Sequence, residues 1–181
     1  NNISSITEKM MLAIIAPAGK EGMINHSRQC YEKDIPILFD PGQGLPMFNR
    51  EELTEFINQA TYVALNGYEA EMLMNVTNLN IKQLASKVDA LIITKGSEGS
   101  KIYVDKEISI SPIKVKHPVD PTGCGDAYRA GLVYGIVNEY TWEKTGKLAS
   151  IMGAIKIQER GGQNHYASLS EIETLFGDKL S

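Results

Sequence analysis

Four short apolar runs, each followed by a stretch long enough for a helix, constrain this chain most. They lie at residues 11–16, 35–40, 62–66 and 90–94. Helical patterns fill the gaps: residues 19–33, a helix to about residue 60 that Asn49 caps with Glu52 at the capping-box spacing, a short one at 69–75, and another at 80–87. Apolar runs alternating with helices predict a parallel sheet covered by helices on both faces.

The pattern changes after Gly96. Residues 100–104 and 108–110 flank the polar Asp105-Lys106-Glu107, which predicts a β-hairpin and antiparallel strands at one edge of the sheet. A helix then follows Gly123-Cys124-Gly125-Asp126. Ala127, Ala130, Gly131, Tyr134 and Gly135 share one of its faces, and Leu132, Val133, Ile136 and Val137 the other, so it is expected to be central and buried. Thr141 is placed to cap a helix over 142–158, and Ser168 with Glu171 to cap the last one. The sequence has no repeat, linker or low-complexity segment, so residues 1–181 read as a single α/β domain.

The polar residues cluster at strand ends. In open α/β sheets ligands bind beyond the carboxyl ends of the strands. Asp40, Asn66 and Thr94-Lys95-Gly96 all stand at such ends and point to one crevice. At the mouth of the later helix, Gly123 and Gly125 let backbone N–H groups approach a ligand. A helix start leaves those groups unpaired and partly positive, which suits a phosphate. A carboxylate there needs a reason, and the best one for Asp126 is a base that takes a proton from an attacking hydroxyl. A first-turn acid that only complements the helix dipole is the bland alternative. The loop is neither a dinucleotide fingerprint, whose third glycine would fall at Tyr128, nor a Walker A loop, since Gly19-Lys20 lacks the flanking residues.

Asp120-Pro121-Thr122-Gly123-Cys124-Gly125-Asp126 resembles the signature of the ribokinase family, the PfkB-type carbohydrate kinases, usually Asp-Thr-Thr-Gly-Ala-Gly-Asp. Asn66-Gly67-Tyr68-Glu69 resembles the family's Asn-x-x-Glu motif, and Thr94-Lys95-Gly96-Ser97-Glu98-Gly99 its nucleotide loop. The three occur in the family's order and cover essentially the whole chain. The resemblance implies a ribokinase-like fold and transfer of the γ-phosphoryl group of ATP to a primary hydroxyl of a sugar or nucleoside. Asp126 would be the base, and the N–H groups of Gly123, Cys124 and Gly125 an anion hole. Asn66 and Glu69 would organise Mg2+ and its waters. Thr94, Lys95, Gly96 and Gly99 would meet the nucleotide, with Gly162 and Asn164 of the 160–165 segment bordering the adenine. Asp120 and Thr122 would hold K+, with Gly161 and Gly162 completing that loop. Departures are Cys124 in place of the usual alanine, read as a small filler, and Pro41-Gly42-Gln43 after Asp40. The runs at 40–43 and 161–165 favour an adenosine-like acceptor. The alternatives are a ribose- or fructose-type sugar, a vitamin kinase, an ATP-dependent dehydratase, or a nucleotide-binding fragment without catalysis.

The chain begins Asn1-Asn2-Ile3 and resembles the C-terminal portion of such a kinase. The family's Gly-Gly signature, much of its sugar site and a β lid that could support a homodimer precede this portion. The 181 residues alone are therefore expected to expose a sheet edge, to self-associate and to be inactive. Net charge is −4 with no basic cluster, which argues against nucleic acid as the main partner. The longest apolar runs are too short to span a membrane. Cys30 and Cys124 suggest neither a disulfide framework nor a zinc site, so a reduced, cytoplasmic setting is the expectation.

Overall fold

The computed structural model describes residue 3 and residues 9–180. Backbone contacts divide the chain into two compact units, one of residues 1–95 and 101–107, the other of residues 96–100 and 108–181. The six strands among the described residues lie in one sheet in sequence order: β1 (Ala13–Ile15), β2 (Ile37–Phe39), β3 (Tyr62–Asn66), β4 (Ala90–Thr94), β5 (Ser100–Tyr103) and β6 (Glu107–Ile110). The first four are parallel, in registers such as Ile14 with Leu38 and Asn66 with Thr94. Three residues join β5 to β6, too few for a crossover, so this pair is the expected antiparallel hairpin at one edge.

In the first unit α1 (Lys20–Glu32) follows β1, α2 (Arg50–Gln59) follows β2, and α3 (Gly67–Thr77) with α4 (Ile81–Ala85) joins β3 to β4. Three of them begin with complete capping boxes: Asn49 with Glu52, Asn66 with Glu69, and Asn80 with Gln83. Each box satisfies two backbone N–H groups that the helix leaves orphaned. The chain passes directly from β3 into α3 through the Asn66 cap, two residues earlier than the sequence pattern predicts. A 3-10 helix over Gly42–Met47, which the periodicity does not reveal, follows Asp40. The core here is built from the strands and the inner faces of α1, α2 and α3; Phe39 stacks on Phe56 with ring centroids 4.6 Å apart.

The second unit is built on α5 (Cys124–Val137), α6 (Trp142–Lys156) and α7 (Leu169–Leu180). The first two pack backbone to backbone. A Cβ on Gly131 would stand 2.6 Å from the Cα of Ala149, and one on Gly135 would meet the Thr145 side chain. Small residues on α5 thus let α6 approach closely, as expected. Contrary to the expectation of a central, buried helix, α5 is buried along one stripe only. Ala127, Tyr128, Gly131, Leu132 and Gly135 are buried, whereas Ala130 and Tyr134 of the supposed contact face are exposed. The contact stripe is centred about one residue away from the one drawn from sequence.

Candidate active site

The loop leading into α5 is the most constrained part of the second unit. Gly123 has φ +78° and ψ 2°. With Cys124 N–H donating to Pro121 O at 3.1 Å, residues 121–124 form a type II turn, which requires a glycine at its third position. A Cβ at Gly123 would also stand 2.7 Å from Gly162 O, so the 161–162 segment lies directly against the turn. The Cys124 N–H of the expected anion hole is therefore already bonded to a carbonyl. The next amides, of Gly125 and Asp126, are first-turn groups for which the helix supplies no acceptor.

Asp126 holds the third position of α5. At that position in α2, α3 and α4 a Glu or Gln side chain reaches back to the cap backbone. The exposed Asp126 carboxylate makes no hydrogen bond or ion pair among the described residues. It thus does no capping work and projects from the partly positive start of the helix.

Asp120 anchors the loop. Its Oδ1 accepts from Thr122 N–H at 2.9 Å and its Oδ2 from Gly161 N–H at 2.8 Å. These bonds, first of all that from Thr122, hold its carboxyl well below the ordinary value, at about 2, with Lys156 adding attraction. The N–H groups of Val119 and Asp120 both donate to Ile157 O at the end of α6, at 2.7 and 3.1 Å. Lys156 is fully buried, and its Nζ donates to Asp120 O at 3.2 Å and to Glu159 O at 2.9 Å. The Cys124 Sγ also faces Asp120 O, at 3.9 Å. Burial pushes this thiol up from its ordinary value, and the opposing pull of Lys156 is smaller. That suits a packed filler and not a thiolate nucleophile. Sequence reading placed Asp120, Thr122, Gly161 and Gly162 together, and they are together. It missed Lys156 and Ile157. The available signal was a lone lysine between Ile155 and Ile157, because a buried lysine is nearly always paired. Asn164 is exposed and its Nδ2 donates to Arg160 O, closing the turn at 160–164.

The first unit carries the strand-end motifs. Glu69 is buried; its Oε2 accepts from Asn66 N–H and its Oε1 from Asn66 Nδ2, each at 2.7 Å. With both oxygens engaged by Asn66, Glu69 would reach a cation only through that ion's waters. No three His, Cys, Asp or Glu residues form a metal cage among the described residues, so such a cation would take most of its ligands from phosphate and water. Thr94 ends β4 with its hydroxyl 3.4 Å from Leu65 O, and Lys95 is exposed. In the second unit, Gly96 and Gly99 both have positive φ, +56° and +90°, and Gly99 N–H closes the turn on Gly96 O.

Comparison with known proteins gives this geometry its setting. The family model for pfkB family carbohydrate kinases matches residues 5–168. A nucleoside kinase of Methanocaldococcus jannaschii is 36% identical over 159 residues, covering 87% of this chain and 52% of that protein. The structure of a Burkholderia thailandensis nucleoside kinase in complex with inosine matches at TM-score 0.91 and 42% identity, over 94% of this chain and 58% of that one. The same kinase in complex with ADP-inosine matches at TM-score 0.92 and 41% identity, over 98% and 57%. The chain spans about half the length of the curated relatives it matches. No helix among the described residues is long and apolar enough to cross a membrane. With all three motifs in order on this fold, the chain belongs to the pfkB family of carbohydrate kinases, the ribokinase family.

Proposed function

We propose that the protein carrying this chain transfers the γ-phosphoryl group of ATP to a hydroxyl of a nucleoside. The observation that carries this reading is the Asp126 carboxylate, unengaged at the first turn of α5 beside a glycine turn. Asp126 takes the proton of the acceptor hydroxyl as that oxygen attacks phosphorus. The amides of Gly123, Gly125 and Asp126 face the developing charge, with the Cys124 amide shared with Pro121 O. Thr94, Lys95, Gly96 and Gly99 hold the nucleotide phosphates and ribose, and Gly162 and Asn164 border the base. Asn66 and Glu69 orient the waters of Mg2+, whose charge, when bound, neutralises the phosphates.

The acceptor is assigned to the nucleosides because two complexes of the similar Burkholderia thailandensis kinase hold inosine or ADP-inosine. The Gly161-Gly162-Gln163-Asn164-His165 run supports the same class. Steady-state ADP release by the full-length protein tests it, with inosine, adenosine, ribose and fructose as acceptors. The nucleosides are expected to give the higher kcat/KM. A preference for either free sugar would move the protein to the sugar-kinase branch.

A further inference from the structure

We infer that Lys156 is a positioning residue, a built-in cation that orders the glycine turn, so that transfer does not depend on a monovalent ion from solution. The inference rests on the phosphotransfer reading above. Family resemblance gives K+ to Asp120 and Thr122, and the residues present do not fit that ion. Both Asp120 carboxylate oxygens already accept backbone N–H groups, and the Asp120 main-chain oxygen already accepts the Lys156 ammonium.

The geometry makes Lys156 a tie between two loops. A buried ammonium is costly unless paired. This one is paired with the main chain: Asp120 O before the glycine turn and Glu159 O after α6. Asp120 answers in the other direction, its carboxylate holding Thr122 and Gly161. One positive and one negative group thus clamp residues 119–123 onto 156–162, at the place where Gly123 meets the Gly162 backbone. The turn sets the direction of the amides that precede Asp126. Electrostatic stabilisation by such amides depends on their being fixed before the reaction. The lysine sits in the last turn of α6, where the helix dipole also favours a cation.

The test compares the full-length protein with Lys156→Ala and Lys156→Met, the latter keeping most of the volume without the charge. Turnover is measured in KCl, NaCl and tetramethylammonium chloride, with and without added methylammonium. Native protein should turn over equally in all three salts. Lys156→Ala should lose on the order of 10²-fold in kcat with nucleoside KM little changed, as misplacement of a reacting group does. K+ or methylammonium should restore much of it by entering the vacated cation position. Hydrogen exchange at the Thr122 and Gly161 amides should quicken in both variants, and this readout needs no turnover. A native enzyme that needs K+ would overturn the inference, and so would variants with native kcat or unchanged exchange at those amides. An inactive native protein with quickened exchange in the variants would instead sink the phosphotransfer reading and leave the clamp standing.

Discussion

The two charged residues that matter most around the glycine turn do opposite jobs. Asp120 is spent on structure: two backbone N–H groups hold its pKa at about 2. A carboxyl lowered on folding stabilises the fold while ionised. Its contribution is complete above the unfolded value, near 3.8, and is lost as pH falls through about 2. The Gly161 amide shift, followed by NMR, is expected to titrate near pH 2, and Asp120→Asn should remove the transition. A midpoint near 3.8 would mean that the two bonds do not form in solution. Asp126, six residues on, is spent on nothing structural. That difference was half legible in the sequence. The motif identifies both acids, but only the hydrogen-bond pattern shows which is engaged. Lys156 was not legible as a partner, because its two acceptors are main-chain carbonyls, which carry no side-chain signature.

Asn49 and Glu52 mark the start of α2 in the sequence, and that box forms as the spacing predicts, because it depends on four consecutive residues. The same spacing at Asn66–Glu69 and Asn80–Gln83 also forms boxes, which sets the α3 start at Gly67. The α5 contact stripe was harder to place. Alanines and glycines spread round the helix give a weak periodic signal, and α6 selects the stripe by how closely its backbone can approach. The 3-10 helix at Gly42–Met47 was missed for a related reason, since it contains Pro46 and has no helical periodicity. The packing makes a firm prediction for Gly131→Ala. The added methyl meets the Ala149 backbone, which cannot rotate away, so α5 and α6 must separate. We expect a loss of about 1–3 kcal/mol in denaturant unfolding. Alanine is otherwise the better helix former, so a gain in stability would show that the two helices do not pack as described.

For the molecule as a whole, the alternation of apolar runs with helical stretches is enough to give the parallel sheet, and its break after Gly96 gives the edge hairpin. Each strand run is a local pattern, and the chain order of the strands is also their order in the sheet. The acceptor was less legible, because the motifs at 66–69, 94–99 and 120–126 concern ATP and the transferred group. The nucleoside assignment came from relatives, of which this chain spans about half. The central claim is therefore best tested where it does not depend on the acceptor's identity, at the base. The decisive measurement is the turnover of full-length Asp126→Asn with MgATP and inosine, alongside its affinity for ADP. We expect kcat to fall by at least ~10²–10⁴-fold, the usual contribution of a positioned base, while ADP affinity stays near the native value. Native turnover in that variant would contradict the central claim.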